Sequence, residues 1–308
     1  MTYSIVARCP DTGMLGMGIA SHVLAVGRVA RYVEPGVGAV ATQSLVLMAH
    51  GSRTIAGLRA GLTAHQSLTE SLAVDERPDV RQVGVVSTGG EVAAHTGDAC
   101  IPNAGHVMGE RFGAQANMMA REGVPQAMAG AFTSTAGEPL VQRLLAALDA
   151  AEAVGGDVRG RQSAALVVAA PDATGDPLAD VVVDVRVDDN PEPLPELRRL
   201  ARLAVANHRL DIADGLVAAG EVAGAAEAYR EATEGAPDYT EFSFWQSASL
   251  ADVGLEDEAR QAWEAIDLAG ESDRWTLVLR RTVQAGLLTP RVLAVLLGEP
   301  PTRGTPES

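Results

Sequence analysis

The chain has 308 residues, 47% of them hydrophobic and 4% aromatic, which is enough for one large domain or two smaller ones with a core of mostly small side chains. Its formal charge is −16, from 40 acidic residues against 24 basic residues that are all arginine. An acidic chain without a basic stripe argues against nucleic acid and anionic membranes as partners.

Several classes of function lack the residue patterns that they require. The sequence contains no run of about 18 apolar residues and no signal peptide at its start, so we expect neither a membrane span nor secretion. Cys9 and Cys100 are the two cysteines, and so few indicate a reducing cytoplasm. The histidines show no HxH or HExxH spacing and the glycines form no phosphate-binding motif, so we predict no metal and no cofactor.

Short apolar runs separated by Gly-rich turns fill residues 1–205. In chain order, the pattern predicts a hairpin around PDTG, a buried strand in GVGAVATQSLV, and a helix over 51–74 that breaks near Gly61. There follow a second hairpin around STGG, one strand in HVMGERFGAQANM, a helix in LVQRLLAALDAAEAV, and strands in SAALVVAAP and ADVVVDVRVDD. Hairpin-joined strands with helical stretches between them indicate an α+β fold with mainly antiparallel sheets.

The last third of the chain has a different pattern. The polar, Pro-rich stretch DDNPEPLP suits a boundary, and beyond it identical residues recur 34 positions apart, as at Gly220 and Gly254. That period is typical of tetratricopeptide repeats, in which each unit is a pair of helices. We therefore predict one domain over 1–205, a small all-α helical-repeat domain over 206–298, and a disordered tail over 299–308.

Thr2 directly follows the initiator methionine, which cells usually remove before a small residue. An N-terminal threonine carries a nucleophile and a base in one residue, because its hydroxyl attacks while its own α-amine takes the proton. That amine has an ordinary pKa of about 7.7–8.0, close to working pH. The alternative is that Thr2 simply opens an edge strand.

Six segments of the first 205 residues resemble the bacterial domain-of-unknown-function family 1028: MTYSIVARCPDTGMLGMGIAS, AVG, GVGAVATQ, RQVGVVSTGG, GGDVRGRQSAAL and VRVDDNPEPLPEL. That family is grouped with the N-terminal nucleophile hydrolases. The resemblance implies a four-layer αββα sandwich with two antiparallel sheets face to face, and it makes Thr2 the candidate nucleophile. Proteasome-like members of the superfamily use a lysine near the nucleophile, and this chain has none.

Further candidates for the same site stand at the ends of predicted strands. Gln43 is a candidate oxyanion donor. Asp157 and Arg159 follow two glycines that end a helix, and they either form a buried ion pair that orients the site or only close that helix. Ser163 either bonds the α-amine of Thr2 or is satisfied within its own strand. The candidates for substrate binding are Ser21, His22, Thr42 and Asn117.

Two functions remain open at this point. The first is a cytoplasmic N-terminal nucleophile hydrolase, without cofactor, that cleaves an amide-type C–N bond in a small non-peptide or peptide substrate. The second is a non-catalytic module that binds a protein or peptide through the repeats of 206–298. The hydrolase needs a trimmed N-terminus and a cleft at Thr2, whereas the binding module needs an exposed groove. We expect a homo-oligomer in either case.

Overall fold

The computed structural model describes residues 2–29, 32–176 and 180–299. The chain divides into two compact units, residues 1–204 and 205–308. Met1 and all of the predicted disordered tail except Glu299 lie outside the described residues.

The described part of the first unit contains two antiparallel sheets. The first sheet has six strands in the order β10-β9-β2-β1-β8-β7, and the second has four in the order β3-β4-β5-β6. The strands are β1 Thr2–Arg8, β2 Leu15–Ser21, β3 Tyr32–Glu34, β4 Gly38–Ser44, β5 Arg81–Ser87, β6 Val92–Thr96, β7 Gly105–Gly109, β8 Phe112–Asn117, β9 Ser163–Ala169 and β10 Val181–Val187.

The two sheets pack face to face, with β1 and β2 contacting β4 and β8 contacting β5. Val6 and Met17 of the first sheet and Ala39 and Val86 of the second belong to one buried cluster between the sheets. The central strands β1 and β2 are buried on both faces, because their outer faces are covered by helices. Their sequences therefore read as continuous apolar runs rather than as alternating ones.

Ten α-helices lie within the described residues, and four of them pack on the sheets. Helices α1 and α2 contact the second sheet, while α3 and α4 contact the first. The helices are α1 Ala49–Arg59, α2 Ala64–Ala73, α3 Val124–Ser134, α4 Leu140–Ala153, α5 Pro193–Ala218, α6 Val222–Gly235, α7 Thr240–Val253, α8 Glu256–Leu268, α9 Ser272–Gln284 and α10 Arg291–Leu297.

The break expected near Gly61 separates α1 from α2. Gly61 has a φ of +87°, which favours glycine, and Thr63 then caps α2 by accepting a hydrogen bond from Gln66 N. The Gln66 side chain in turn accepts from Thr63 N, which completes a capping box. Local sequence thus explains both ends of this connection.

The structure differs from the sequence-based expectation in the segment HVMGERFGAQANM. One strand was expected there, but the chain forms a hairpin of β7 and β8 that turns at residues 110–111. Arg111 adopts a φ of +62° in that turn, which is uncommon for a residue other than glycine, so the sequence carried no turn signal. The short strand β3 was also not expected.

The second unit consists of consecutive helices. Gly220 and Gly254 both have positive φ, of +77° and +96°, and each follows the end of a helix. Tyr229 and Trp263, which are also 34 residues apart, are both buried. Across the described ranges, no helix combines the length and apolar character needed to cross a bilayer.

Leu144 on α4 is fully buried, and it lies so close to β2 that a Cβ at Gly16 would stand 2.7 Å from Leu144 Cδ1. We predict that Leu144→Ala lowers the free energy of unfolding by about 2–5 kcal/mol, because it leaves a cavity in this interface. Urea denaturation would measure the change. The matched control Val74→Ala removes an exposed apolar side chain and should change stability by less than about 0.5 kcal/mol. Equal effects of the two changes would contradict the assigned packing.

Candidate active site

Four polar residues form one row across the first sheet at the end where β1 begins. Thr2 pairs with Ser21 on β2 and with Asn117 on β8, and Ser21 pairs in turn with Ser163 on β9. Directly opposed residues of antiparallel strands project to the same face of a sheet. All four are buried, and Thr2 Oγ1 donates a hydrogen bond of 3.0 Å to Ser21 Oγ.

Gln43 joins this row to the second sheet. Its Nε2 donates to the main-chain oxygen of Thr2 at 3.0 Å and to Gln82 Oε1 at 2.7 Å. Its Oε1 accepts from Ser4 Oγ at 2.7 Å. The side-chain amide of Asn117 also donates to the Thr2 carbonyl, at 3.4 Å, so two amides from opposite sheets hold the first described peptide group.

Gln82 is the centre of the network, although it is not among the site residues that the sequence predicts. Its Oε1 accepts from both Gln43 and Asn117, and its Nε2 lies within 3.0 Å of Thr96 Oγ1 and of the main-chain oxygens of Gly105 and Ala116. The signal for it in the sequence is an uncharged polar residue within the predicted strand RQVGVVS, directly before the apolar run VGVV. Gln115 in FGAQAN carries the same signal and contacts Ser4 Oγ and Ala41 O.

Asp157 ties the helix-ending loop to the row of strand ends. Arg159 binds both carboxylate oxygens of Asp157 through Nε at 3.1 Å and Nη2 at 2.8 Å, and His22 N donates to the same carboxylate at 3.1 Å. His22 directly follows Ser21, the last residue of β2. The Asp157–Arg159 ion pair therefore contacts the end of β2 and is not limited to closing α4. Burial raises the pKa of Asp157, but the hydrogen bonds from Arg159 and His22 outweigh it and leave that pKa below its ordinary value.

Ser163 and Thr42 have partners away from Thr2. Ser163 Oγ donates its single hydroxyl proton to Val23 O at 2.5 Å, and it accepts a hydrogen bond from Val26 N at 3.1 Å. The Ser163 hydroxyl therefore holds the loop after β2. Thr42 projects to the opposite face of the sheet from its neighbour Gln43, and its hydroxyl contacts Leu47 O at 3.5 Å. The structure therefore brings Thr2, Ser21, Gln43 and Asn117 together, but it does not bring Thr42 to them.

A buried Ser–His–Asp set lies at the same end of the second sheet. His50 is within hydrogen-bond distance of Ser71 Oγ at 2.8 Å and of Asp75 Oδ2 at 2.7 Å. Arg81 also binds Asp75, lowering its pKa, and donates to Leu45 O in the loop after Gln43. His50 and Ser71 are buried and the Asp75 side chain is only 4% exposed, so we assign the three residues to anchoring this loop and not to attacking a substrate.

A cavity of about 570 Å³ opens beside the network where β7 begins. Gly105 belongs to its wall and accepts a hydrogen bond from Gln82, which connects the cavity to the residues around Thr2. Gly105 is separated from Tyr3 by the single strand β8, so the cavity wall lies roughly 10 Å from β1. Thr2, which is 5% exposed, is not among the residues that line this cavity.

Among the described residues, no side chain that contacts Thr2 or Gln43 carries an acidic or basic group. Ser4, Ser21, Gln82 and Asn117 are hydroxyls or amides, which do not ionise near neutral pH. Asn117 Oδ1 is buried, and nothing among the described residues donates a hydrogen bond to it. The site thus offers a hydroxyl, an unfilled acceptor and no side-chain base at Thr2.

The fold and site define an α+β protein whose two antiparallel sheets enclose a buried polar network at one end. Residues 2–197 match the model of a family described as "Family of unknown function (DUF1028)", and the chain belongs to this family. A crystal structure of a Silicibacter pomeroyi protein assigned to DUF1028 is similar, with 30% identity and a TM-score of 0.58 over 66% of this chain and 88% of that one. No curated protein matches the chain.

The Asp157 ion pair predicts a pH-dependent contribution to stability. Because the pKa of Asp157 is lower in the folded state, its stabilisation is complete above the unfolded pKa of about 3.9 and is lost as pH falls through the folded pKa. We expect Asp157→Asn to cost about 1–3 kcal/mol at neutral pH, and the difference from wild type to shrink below about pH 4.

Urea denaturation of both proteins across this pH range measures that difference. The exposed control Asp172→Asn should stay within about 0.5 kcal/mol of wild type. A gap between Asp157→Asn and wild type that stays constant as pH falls would exclude the proposed role of the charge.

Proposed function

We propose that the protein is an N-terminal nucleophile hydrolase that uses Thr2 to cleave an amide-type bond in a small substrate. The order of layers supports this proposal, since a helix pair, two face-to-face sheets and a second helix pair match the αββα sandwich that the family resemblance implies. The position of Thr2 supports it as well, because Thr2 begins a central strand of the first sheet. The family description itself assigns no activity.

The observation that carries the proposal is the way in which Thr2 is held. Its carbonyl is fixed by amides from both sheets, and its hydroxyl is directed to Ser21. Such a two-sided hold restricts the orientation of one residue, as a nucleophile requires. Because the contacting side chains supply no base, the α-amine exposed by removal of Met1 is the group that accepts the proton.

The reaction then proceeds in two steps. Thr2 Oγ forms a bond to the substrate carbonyl carbon, and its proton passes to the α-amine and from there to the departing amine as the C–N bond breaks. The product of this step is an ester between Thr2 and the acyl group. Water, deprotonated by the same amine, attacks the ester, and Thr2 Oγ recovers the proton as the acid leaves.

The hydrogen bonds of the two amides favour roles other than those predicted from the sequence, which were oxyanion donor for Gln43 and substrate binding for Asn117. Both N–H groups of Gln43 already donate, to Thr2 O and to Gln82, and those of Asn117 have the same two acceptors. We therefore assign Gln43 and Asn117 to positioning Thr2 and not to the oxyanion. The unfilled Asn117 Oδ1 is the acceptor that we assign to the α-amine of Thr2, because the two residues are paired across β1 and β8.

Exposed apolar side chains at the same end of the sheets favour a substrate with an apolar acyl group. They lie in loops that directly follow Ser21, Gln43 and Asp157, three residues already placed at this end. We call them the apolar rim; its members are Val23, Leu24, Leu45, Val46, Met48 and Val158.

A second candidate function rests on the helical unit. A cavity of about 510 Å³ is lined by α6, α7 and α8, the concave arrangement expected of tetratricopeptide-like helix pairs that bind a peptide. Arg230 in this cavity is paired with Glu227 and Glu234, so its charge is already satisfied. This binding role does not depend on the chemistry of Thr2.

The hydrolase proposal predicts that Thr2 is acylated. Protein purified from its native host should lack Met1 by intact mass, and a β-lactone acylating probe should add one acyl group to the peptide that begins with Thr2. Thr2→Ser should still react and Thr2→Ala should not, because only serine retains the hydroxyl. The labelling rate should rise with pH around about 8 as the amine loses its proton.

Thr12→Ala, an exposed threonine in the β1–β2 turn, is the matched control and should label as wild type does. Retention of Met1 on nearly every molecule, or equal labelling of Thr2→Ala, would rule out the proposed mechanism.

The apolar rim predicts a preference for longer acyl chains. Butanoyl and acetyl probes differ by two methylenes, each worth about 0.8 kcal/mol when buried, so the butanoyl probe should label up to about fifteenfold faster. The double variant Leu45→Ser/Val46→Ser should reduce this ratio, whereas Met108→Ser, an exposed apolar residue on β7, should not. An unchanged ratio in the double variant, together with dissociation of a dimer, would assign the rim to contact between copies of the chain instead.

A further inference from the structure

A second cavity of the first unit lies near the other end of β1. It has a volume of about 720 Å³ and lies between the β7–β8 hairpin, the last turns of α3, and α4. Arg8, which lines it, is the last residue of β1, while Thr2 is the first, so the two sites are separated by roughly 20 Å of extended strand. This cavity therefore cannot share a small substrate with Thr2.

The floor of the cavity is aromatic. Phe112 and Phe132 contact each other with ring centroids 4.8 Å apart, and both line the cavity. The guanidinium carbon of Arg143 lies 3.9 Å from the centroid of the Phe132 ring. Stacking of this kind holds an arginine in one orientation and leaves the edge of its guanidinium available to a planar anion.

Arg143 is 93% buried, since its relative exposure is 7%. Its recorded hydrogen bonds, from Nε at 3.4 Å and Nη2 at 3.2 Å, both go to the main-chain oxygen of Phe132. That carbonyl belongs to the last turn of α3, where the helix dipole favours a positive charge. One carbonyl does not neutralise a guanidinium with five N–H donors, and a buried charge without a counter-ion is costly.

Two more arginines line the same cavity. Arg8 has a buried Nε without a hydrogen-bond partner among the described residues, and its Nη1 donates to Cys9 O at 3.3 Å. Arg111 lies 3.8 Å from Glu110, a glutamate whose side chain is almost fully exposed. Over the described ranges, no other carboxylate comes within 4.0 Å of these three arginines. In a chain of net charge −16, the three arginines that line this cavity thus share one weak counter-ion among the described residues.

From this cluster we infer that the cavity is a binding site for an amphipathic oxyanion, namely a small carboxylic acid with an aromatic or aliphatic body. The volume is in the range of ligand pockets, about 300–1,000 Å³, and a few polar groups over an apolar floor are typical of such pockets. Arginine binds a carboxylate through two parallel hydrogen bonds. The apolar body covers the phenylalanine rings, while the carboxylate supplies the missing charge.

The test is direct binding of 4-phenylbutyrate to the full-length protein. Binding is monitored by calorimetry and by NMR of the methyl groups near the cavity. We expect saturable binding in the millimolar range or tighter, weaker binding of the neutral analogue 4-phenylbutyramide, and competition by other amphipathic carboxylates. Inorganic phosphate serves as a third probe, since it shares the oxyanion without the apolar body. Tighter binding of phosphate than of 4-phenylbutyrate would overturn the assignment to a carboxylic acid.

Two variants locate the site. Arg143→Met keeps an unbranched apolar stem but removes the guanidinium, and it should weaken binding of 4-phenylbutyrate at least about tenfold, as expected for loss of a charge-assisted hydrogen bond. Arg111→Asn should also weaken binding, and asparagine tolerates the left-handed backbone conformation of residue 111. This variant therefore tests the site if Arg143→Met does not fold. Arg53→Met, an exposed arginine on α1, should bind as wild type does.

Absence of saturable binding in the wild type, equal binding of the acid and its amide, or unchanged binding in both cavity variants would each overturn the inference. In those cases Arg143 would be a cap for α3 and nothing more. Because the experiment measures binding far from Thr2, its outcome does not depend on whether Thr2 is a nucleophile.

Discussion

The hydrogen bonds of Gln43 join the two sheets at the place where their facing surfaces are polar. Elsewhere the interface is filled by apolar side chains such as Val6 and Met17, which can pack in many ways. A buried amide is different, because each of its donors needs an acceptor at a defined position. Gln43 meets that need by binding Thr2 O and Gln82 Oε1, and it thereby sets how the start of β1 lies over the second sheet.

The chemistry that we propose follows from the composition of this network. Hydroxyls and amides hold the start of β1 without adding charge, so the region beside Thr2 is buried, polar and neutral. The charged pair of Asp157 and Arg159 stands behind the end of β2, where it fixes the main chain at His22. In a chain that contains no lysine, this arrangement leaves the α-amine of Thr2 as the proton acceptor of the proposed reaction.

Local signals account for the elements that the sequence predicted well. The capping box at Thr63 and the glycines after α4 mark helix ends through interactions within a few residues, and both were readable. The turn at Arg111 carries no such signal, so the local pattern of the β7–β8 hairpin predicts one strand. The inward direction of Gln43 and the outward direction of Thr42 depend on which face of β4 meets the other sheet. Because Thr42 and Gln43 are adjacent and both polar, the sequence does not show which of the two side chains faces the other sheet.

Residue order and short-range patterns are enough to predict the α+β character, the candidate nucleophile and the family resemblance. Which polar residues share one site depends on long-range contacts and is not predictable in this way. Ser21, Asn117 and Gln82 come to Thr2 through strand pairing and sheet packing between positions up to 115 residues apart. The arginine-lined cavity has the same origin, since Arg8, Arg111 and Arg143 are distant along the chain. Contacts of that range depend on the register of whole strands and the packing of whole helices, which no local pattern encodes.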